Sequence, residues 1–146
     1  MTSSAIVKQY VDALHHFDLD ALQDLIHPDI TVRYPQSGEV IRGAATYVEM
    51  LRNYPGAEAV AEIDGTVGAD EQVQVSSPLP FGLPSVTVST ASDTFTCKTV
   101  VTYPDGSIWH VVFILRFLNG KIIEETSYFG EPFDPPDWRA PYRDEP

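Results

Sequence analysis

The chain has 146 residues, of which 43% are hydrophobic and 11% aromatic, enough for one domain with a core and a lined cavity. Nine Lys and Arg against 21 Asp and Glu give a formal net charge of −12, which disfavours nucleic-acid backbones and anionic membrane surfaces as partners. The one cysteine, Cys97, excludes an internal disulfide and a thiolate-rich metal cluster. No apolar run approaches ~18 residues and no leader pattern opens the chain, so we expect a cytoplasmic protein.

Three helices are predicted in the first part of the chain. Residues 4–17 carry apolar side chains at helical spacing, and Asp18 is a suitable N-cap for a second short helix that Pro28 closes. A short strand is predicted at residues 30–34. A third helix begins after Gly43 and is stopped by the proline and glycine at 55–56.

Later in the chain the apolar residues alternate with period two, as is typical of strands. Strands are predicted at 57–67, 94–103, 108–117 and 121–129, and the last two are joined by a tight turn at 118–120. Residues 68–93 form an irregular insert, with one weak strand near 72–75 and a loop expected over the pocket mouth. The tail at 131–146 is expected to be extended and to pack through Phe133 and Trp138.

This order predicts a single α+β domain over residues 1–146, with three N-terminal helices packed on a strongly curved antiparallel sheet of four to five strands. A bent sheet closed on one side by helices leaves a cone-shaped pocket, and such pockets are mostly apolar with a few convergent polar groups. The expected ligand is a small hydrophobic molecule.

Several segments resemble a known superfamily. The first half, from AIVKQYV at 5–11 and DLDAL at 18–22, resembles the bacterial ketosteroid isomerases. The second half, from YPDGSIWH at 103–110 through GKI at 120–122 to SYF at 127–129, resembles SnoaL-like proteins, which include polyketide cyclases. Both groups belong to the nuclear transport factor 2-like superfamily, whose members include enzymes, binding modules and adaptors.

Only one of the three catalytic residues of the isomerases is matched in this sequence. That family uses a carboxylate base, with a tyrosine and a protonated aspartic acid as the oxyanion hole. The tyrosine matches Tyr10, but Tyr34 stands at the position of the base and Phe113 at that of the protonated acid. A phenol titrates near pH 10 and a phenyl ring does not titrate, so steroid isomerisation by that mechanism is not expected.

Glu125 is the alternative base, and its orientation depends on one turn. A three-residue loop at 118–120 pairs Phe117 with Lys121, which pairs Phe113 with Glu125 and directs Glu125 into the pocket. A two-residue turn at 119–120 reverses the parity and places Glu125 in solvent. The resemblance also implies a role for Ser127, because related SnoaL-like sequences carry an acid at this position. Ser127 is therefore a second candidate catalytic residue.

The first hypothesis is therefore a cofactor-independent enzyme that isomerises, cyclises or hydrates a hydrophobic cyclic compound. Tyr10 and Tyr34 would donate hydrogen bonds to a developing oxyanion, while Glu125 and Ser127 would transfer the proton. The alternatives are a non-catalytic binding module, and an adaptor that uses the outer sheet face. The residues expected to line the pocket around the substrate are Phe17, Tyr47, Leu51, Trp109, Phe113 and Phe129.

Two further expectations concern histidine and assembly. No two histidines and a carboxylate have the spacing of metal ligands, so no metal and no organic cofactor are expected. His110 alternates with Trp109 and Val111, and it faces outward if those two face the pocket. Together with Val112 and Ile114 it would then form an uncovered patch, which predicts a homodimer through the convex face of the sheet.

Overall fold

The computed structural model describes residues 2–54, 60–67, 73–75, 86–88, 93–102 and 105–144. Three α-helices lie in the first third of the chain: α1 (Ser3–His15), α2 (Leu19–Leu25) and α3 (Ala44–Arg52). The described strands are β1 (Ile26–Tyr34), β2 (Glu39–Arg42), β3 (Val60–Val67), β4 (Val73–Val75), β5 (Val86–Val88), β6 (Thr94–Thr102), β7 (Ile108–Leu118) and β8 (Lys121–Gly130). A 3-10 helix at Asp137–Tyr142 follows them.

Six of these strands form one open, curved sheet in the order β2-β1-β8-β7-β6-β3. Neighbouring strands are antiparallel except β1 and β8, which run parallel. Strands β4 and β5 pair separately with each other. The predicted α+β class is confirmed, and the structure differs in having one parallel strand pair and in having β2 and β5, which the sequence pattern does not predict.

Two of the helices begin at a side-chain cap, and Asp18 is the cap that the sequence predicts. The Thr2 hydroxyl accepts a hydrogen bond from the Ala5 amide at the start of α1 (3.1 Å), and the Asp18 carboxylate accepts one from Ala21 at the start of α2 (3.1 Å). The prediction that Pro28 closes the second helix is wrong, because α2 ends at Leu25 and Pro28 lies inside β1. The register of β1 against β8 shifts between Ile26 and Thr31, and this irregularity accommodates a residue without an amide hydrogen.

The core lies between the inner face of the sheet and the helices. Alternate residues of β7 are buried (Val111, Phe113, Leu115 and Phe117), and they join the buried residues of α1 in one apolar cluster. The residues between them, from His110 to Arg116, belong to the opposite face. Cys97 is fully buried on β6.

The C-terminal tail does not pack as predicted. Phe133 is 81% exposed and Trp138 is 71% exposed, and Tyr142 in the 3-10 helix is similarly open. The prediction that Phe133 and Trp138 anchor the tail is therefore wrong for this chain. Alternation of apolar and polar residues identifies a packed strand, whereas isolated aromatic residues among prolines carry no such pattern.

Candidate active site

A cavity of about 640 Å³ lies between α1, α3 and the inner face of the sheet, within the size range of small-molecule sites. Its wall is mostly apolar, with a few polar side chains. The lining residues are Val11, Leu14, Phe17, Tyr34, Tyr47, Met50, Leu51, Asn53, Tyr54, Thr99, Val101, Val111, Phe113, Glu125, Ser127 and Phe129.

Glu125 is the acidic residue of this wall, and two phenols bind its carboxyl group. The Tyr10 hydroxyl, from α1, donates to Oε1 at 2.5 Å, and the Tyr47 hydroxyl, from α3, donates to Oε2 at 2.9 Å. The two hydroxyl oxygens are themselves 3.1 Å apart. Two helices and one strand, α1, α3 and β8, thus bring three polar side chains together inside an apolar core.

Glu125 faces inward because a β-bulge follows the turn. Leu118 pairs with Lys121, so Asn119 and Gly120 form a two-residue turn with φ of 51° and 78°. Such a turn alone would direct Glu125 outward. The register then shifts, so that Phe117 pairs with Ile122 and Arg116 with Glu124, which leaves Ile123 as the extra residue.

The observed pairing of β7 with β8 differs from both alternatives considered from the sequence, the three-residue loop and the simple two-residue turn. Phe113 pairs with Ser127, and Leu115 pairs with Glu125, so the pair of Phe113 with Glu125 that a three-residue loop predicts is wrong. Of the two orientations that the sequence leaves open, the inward one is found: Glu125 is 3% exposed and Ser127 is 5% exposed, and both line the cavity.

Burial governs the protonation of this site. Desolvation raises the pKa of Glu125 above its usual value, and the hydrogen bonds from Tyr10 and Tyr47 oppose that shift. Desolvation also raises the pKa of both tyrosines well above 10, and the neighbouring carboxyl adds to the shift. Glu125 therefore titrates closer to neutral pH than an exposed glutamate, while Tyr10 and Tyr47 remain protonated.

The neighbouring acid shows the opposite behaviour on the other face of the sheet. Glu124 accepts hydrogen bonds from the Arg116 guanidinium at 3.0 and 3.1 Å, and this partner lowers the pKa of Glu124. Adjacent residues of one strand thus place one carboxyl beside a cation and the other in an apolar cavity.

Ser127 lies on the same face of β8 as Glu125, two residues further along. Its side chain lines the cavity, and among the described residues we find no hydrogen-bond partner for its hydroxyl. The Ser127 hydroxyl is therefore positioned to bind a polar atom of a ligand.

The outer part of the wall is fixed by Gln36, a side chain that the sequence pattern does not single out. The Gln36 amide donates to the carbonyl oxygen of Phe129 (2.6 Å) and accepts from its backbone N–H (2.5 Å). The Phe129 ring in turn packs edge-on against Tyr34, with centroids 5.6 Å apart. Gln36 thus continues the pairing of β8 beyond the end of β1, which a sequence pattern cannot indicate.

Most of the side chains predicted to line the pocket lie in the wall of this cavity. Tyr34, Glu125, Ser127, Phe17, Tyr47, Leu51, Phe113 and Phe129 all line the cavity. Tyr10 is not a lining residue, because it lies fully buried behind Glu125 and donates its hydrogen to that carboxyl. Trp109, which is predicted to line the cavity, is not among its lining residues, and its indole N–H donates to the hydroxyl of Ser107, just before β7 (3.0 Å).

Phe17 reaches the cavity from an unusual backbone conformation. It follows α1 with φ of 54°, in the left-handed region where glycine is the usual residue. The amide of the next residue, Asp18, closes the helix end by donating to the Ala13 carbonyl (2.8 Å). A bulky side chain in this position is consistent with a role in shaping the cavity.

His110 is exposed on the outer face of the sheet. No group of three His, Cys, Asp or Glu side chains among the described residues has the arrangement of a metal site. No helix in the described part of the chain is long and apolar enough to span a membrane.

Comparison with known proteins agrees with this architecture. The family model of the SnoaL-like domain matches residues 7–125. The chain belongs to the SnoaL-like family. No curated protein matches it.

Solved structures extend the likeness to nuclear transport factor 2-like proteins. An NTF-2 like protein of unknown function from Burkholderia xenovorans LB400 is 25% identical, with a TM-score of 0.76 over 98% of this chain and 94% of that one. A candidate ketosteroid isomerase from Kribbella flavida DSM 17836 is 18% identical, with a TM-score of 0.76 over 98% and 88%. An LEH-like epoxide hydrolase from M. tuberculosis is 14% identical, with a TM-score of 0.62 over 87% and 81%. The last two likenesses establish the fold alone.

Proposed function

We propose that this SnoaL-like protein is an enzyme that transfers protons to and from a small hydrophobic cyclic compound without a metal or organic cofactor. The main observation that supports this proposal is the Glu125 carboxyl, which is buried in the wall of an apolar cavity and bound by the hydroxyls of Tyr10 and Tyr47. A carboxyl in such surroundings has a raised pKa, as general acid–base catalysis near neutral pH requires.

The division of roles follows from which atoms face the cavity. Glu125 exchanges the proton, and Tyr10 and Tyr47 stabilise its charged form by donating hydrogen bonds. Ser127 and the phenol of Tyr34 are the polar groups that would bind an oxygen of the ligand. The apolar side chains around them would hold the ring system and exclude water.

Hydrogen–deuterium exchange into trial compounds tests this proposal even while the complete reaction is unknown. A panel of uncharged cyclic ketones, hydroxyketones and epoxides is incubated with the protein in D₂O, and mass spectrometry follows deuterium incorporation or conversion. We expect at least one compound to react at a rate that Glu125→Gln reduces by ~10²-fold or more. The matched control, Glu124→Gln, changes a carboxyl on the opposite face and should leave the rate unchanged. Equal rates for wild type and Glu125→Gln would refute the proposal.

A non-catalytic binding module of the same fold is the second candidate. It is supported by the replacement of both carboxylates of the resembling isomerases, since Tyr34 and Phe113 occupy those positions. Under this alternative a neutral fluorescent probe such as Nile red binds equally to wild type and Glu125→Gln, and no compound exchanges deuterium. An adaptor role is less well supported, because the cavity is open rather than filled by side chains.

A further inference from the structure

Three oxygen–oxygen contacts close a ring among Tyr10, Tyr47 and Glu125. The contacts join Tyr10 to Oε1 (2.5 Å), Tyr47 to Oε2 (2.9 Å) and the two phenol oxygens to each other (3.1 Å). If Glu125 is ionised, the three groups carry only two hydrogens between them, one on each phenol, and both are donated to the carboxylate. The two phenol oxygens would then face each other without a hydrogen between them. A protonated carboxyl supplies the third hydrogen, and every residue in the ring can donate one and accept one.

The charges around the ring favour the same state. All nine Lys and Arg residues lie in the described part of the chain, and each is exposed or half-buried. The groups that bind Glu125 are uncharged phenols, Tyr10 from α1 and Tyr47 from α3. The other polar side chains that line the cavity are uncharged as well: Tyr34, Asn53, Tyr54, Thr99 and Ser127. Arg33 and Arg116, on the two strands that flank β8, pair with Glu124 on the opposite face of the sheet. An ionised Glu125 would be a buried carboxylate without a counter-charge, which is costly.

We infer that Glu125 rests as a neutral carboxylic acid in a closed ring of three hydrogen bonds, and that it gives a proton to its ligand before it takes one. This inference rests on the proposed function and adds the class of ligand. The ligand is an uncharged molecule with a basic oxygen atom, in a carbonyl, hydroxyl or epoxide group, placed against Glu125. An anionic ligand would have no cation to bind in the described wall of the cavity.

The proton transfer requires little movement of the protein. The O–H bond of Glu125 breaks and its proton bonds to the ligand oxygen, which leaves the carboxylate with one negative charge and the ligand with one positive charge. The hydrogen between the two phenols then turns toward the carboxylate, since both phenol oxygens already lie within hydrogen-bond distance of it. Tyr10 and Tyr47 therefore stabilise the charge that forms on Glu125, and the ring closes again when the proton returns.

Infrared difference spectroscopy tests the resting state directly. Wild type and Glu125→Gln are compared at pH 6.5, well above the usual glutamate pKa of about 4.3. We expect the wild type to show the C=O band of a protonated carboxylic acid that the variant lacks. The matched control is wild type against Glu49→Gln, which changes an exposed glutamate held at a lowered pKa and should show carboxylate bands alone. Carboxylate bands alone in the Glu125 difference would overturn the inference.

Two further measurements separate the possible failures. Carboxyl ¹³C shifts of glutamate-labelled wild type report the same protonation without any variant that could fail to fold. Tyr47→Phe should shift the acid band, because the ring is opened, and an unchanged band would contradict the ring. If Glu125 proves ionised while deuterium exchange still depends on it, the inference fails and the proposed function stands with Glu125 as a base. If Glu125→Gln exchanges deuterium normally, the proposed function itself fails.

Discussion

At the scale of single residues, Glu125 links the stability of the protein to pH. Its raised folded-state pKa means that the folded protein holds a proton that the unfolded chain releases. Protonated Glu125 stabilises the folded state fully at pH values below its unfolded-state pKa of about 4.3. This stabilisation is lost as pH rises through its folded-state pKa. The loss amounts to about 1.4 kcal/mol for each pH unit between the two values.

Glu125→Gln should remove this loss. The amide has the shape of the protonated acid, and it can accept from Tyr10 and donate to Tyr47, so the ring persists at every pH. We expect the variant to be as stable as wild type at pH 4 and equally or more stable at neutral pH. Thermal melts of both proteins from pH 4 to 8 measure the difference.

The matched control, Glu124→Gln, should show the opposite sign. The pKa of Glu124 is lowered by Arg116, so its contribution is present at neutral pH and disappears as pH falls. Because the pair is partly exposed, its contribution should be at most about 1 kcal/mol. Superimposable melting curves for wild type and Glu125→Gln would contradict the buried position of Glu125.

Tyr34 and Phe113 bear on the isomerase chemistry that the sequence resembles. Both side chains line the cavity, so they occupy positions from which carboxylates could act. Phe113→Asp alone should not produce ketosteroid isomerase activity, whereas Tyr34→Asp with Phe113→Asp should give weak activity. Absorbance of an unsaturated ketosteroid measures turnover, and a single variant as fast as the double would contradict this placement. Each added carboxyl costs a few kcal/mol of stability, so melting temperatures are recorded alongside.

At the scale of elements, the turn between β7 and β8 depends on glycine. Gly120 has φ of 78°, and nothing lies within 4 Å of an added Cβ, so Gly120→Ala introduces backbone strain without a clash. We expect a loss of about 1–2 kcal/mol. The matched control is Gly130→Ala at the end of β8, where the nearest atom to an added Cβ is the His110 carbonyl oxygen at an ordinary 3.7 Å. Urea unfolding should show a loss for Gly120→Ala alone, and equal losses would indicate a different cause.

The same hairpin explains what the sequence could and could not predict. Alternation in residues 108–117 predicts the strand and its buried face, because period-two burial is a local property of the chain. The bulge at Ile123 depends on how β8 pairs with β7 and with β1 at once, and two adjacent isoleucines give no local signal for it. The sequence therefore leaves the orientation of Glu125 open between the cavity and solvent, and neither register that it offers is the one found.

Pairing between distant segments limits prediction in β1 as well. Pro28 is a strong local signal for the end of a helix, yet α2 has already ended and Pro28 lies inside β1, whose pairing with β8 is irregular there. Gln36 substitutes for a strand by binding both backbone groups of Phe129, 93 residues away. Such contacts join segments far apart in sequence, so they follow from the fold and not from any local pattern.

At the scale of the whole molecule, the placement of charge distinguishes the interior from the surface. The net charge is −12, yet among the described residues one carboxyl, Glu125, is fully buried and no cation is. Composition indicates the excess of acid but cannot indicate which acid is inside. The hydrogen bonds of Tyr10 and Tyr47 make that burial tolerable, since they satisfy both carboxyl oxygens.

The outer sheet face is the remaining feature of the whole molecule, and it leads to a prediction about assembly. Apolar side chains lie on this face of β7 and β8: Ile108 is 50% exposed, Tyr128 is 44% exposed, and Val112 and Ile114 are half-buried. Val112 and Tyr128 are cross-strand partners, so the apolar side chains adjoin one another at this point of the face. Continuous apolar patches on a small domain generally mark an interaction surface, and we expect two copies of the chain to pair through this face.

Light scattering at micromolar concentration should therefore give twice the chain mass of 16.2 kDa. Val112→Lys places a charge at the centre of the face and should yield the monomer, because like charges from two symmetric copies would meet there. Val40→Lys is the control, since Val40 is an apolar residue that is more exposed (44%) than Val112 and lies on β2, the strand at the edge of the sheet. A wild-type mass near 16.2 kDa, or a Val112→Lys protein that remains a dimer, would contradict pairing through the outer face. Because Glu125 lies on the inner face, the monomeric variant should retain the acid band of wild type, which separates assembly from the chemistry of the cavity.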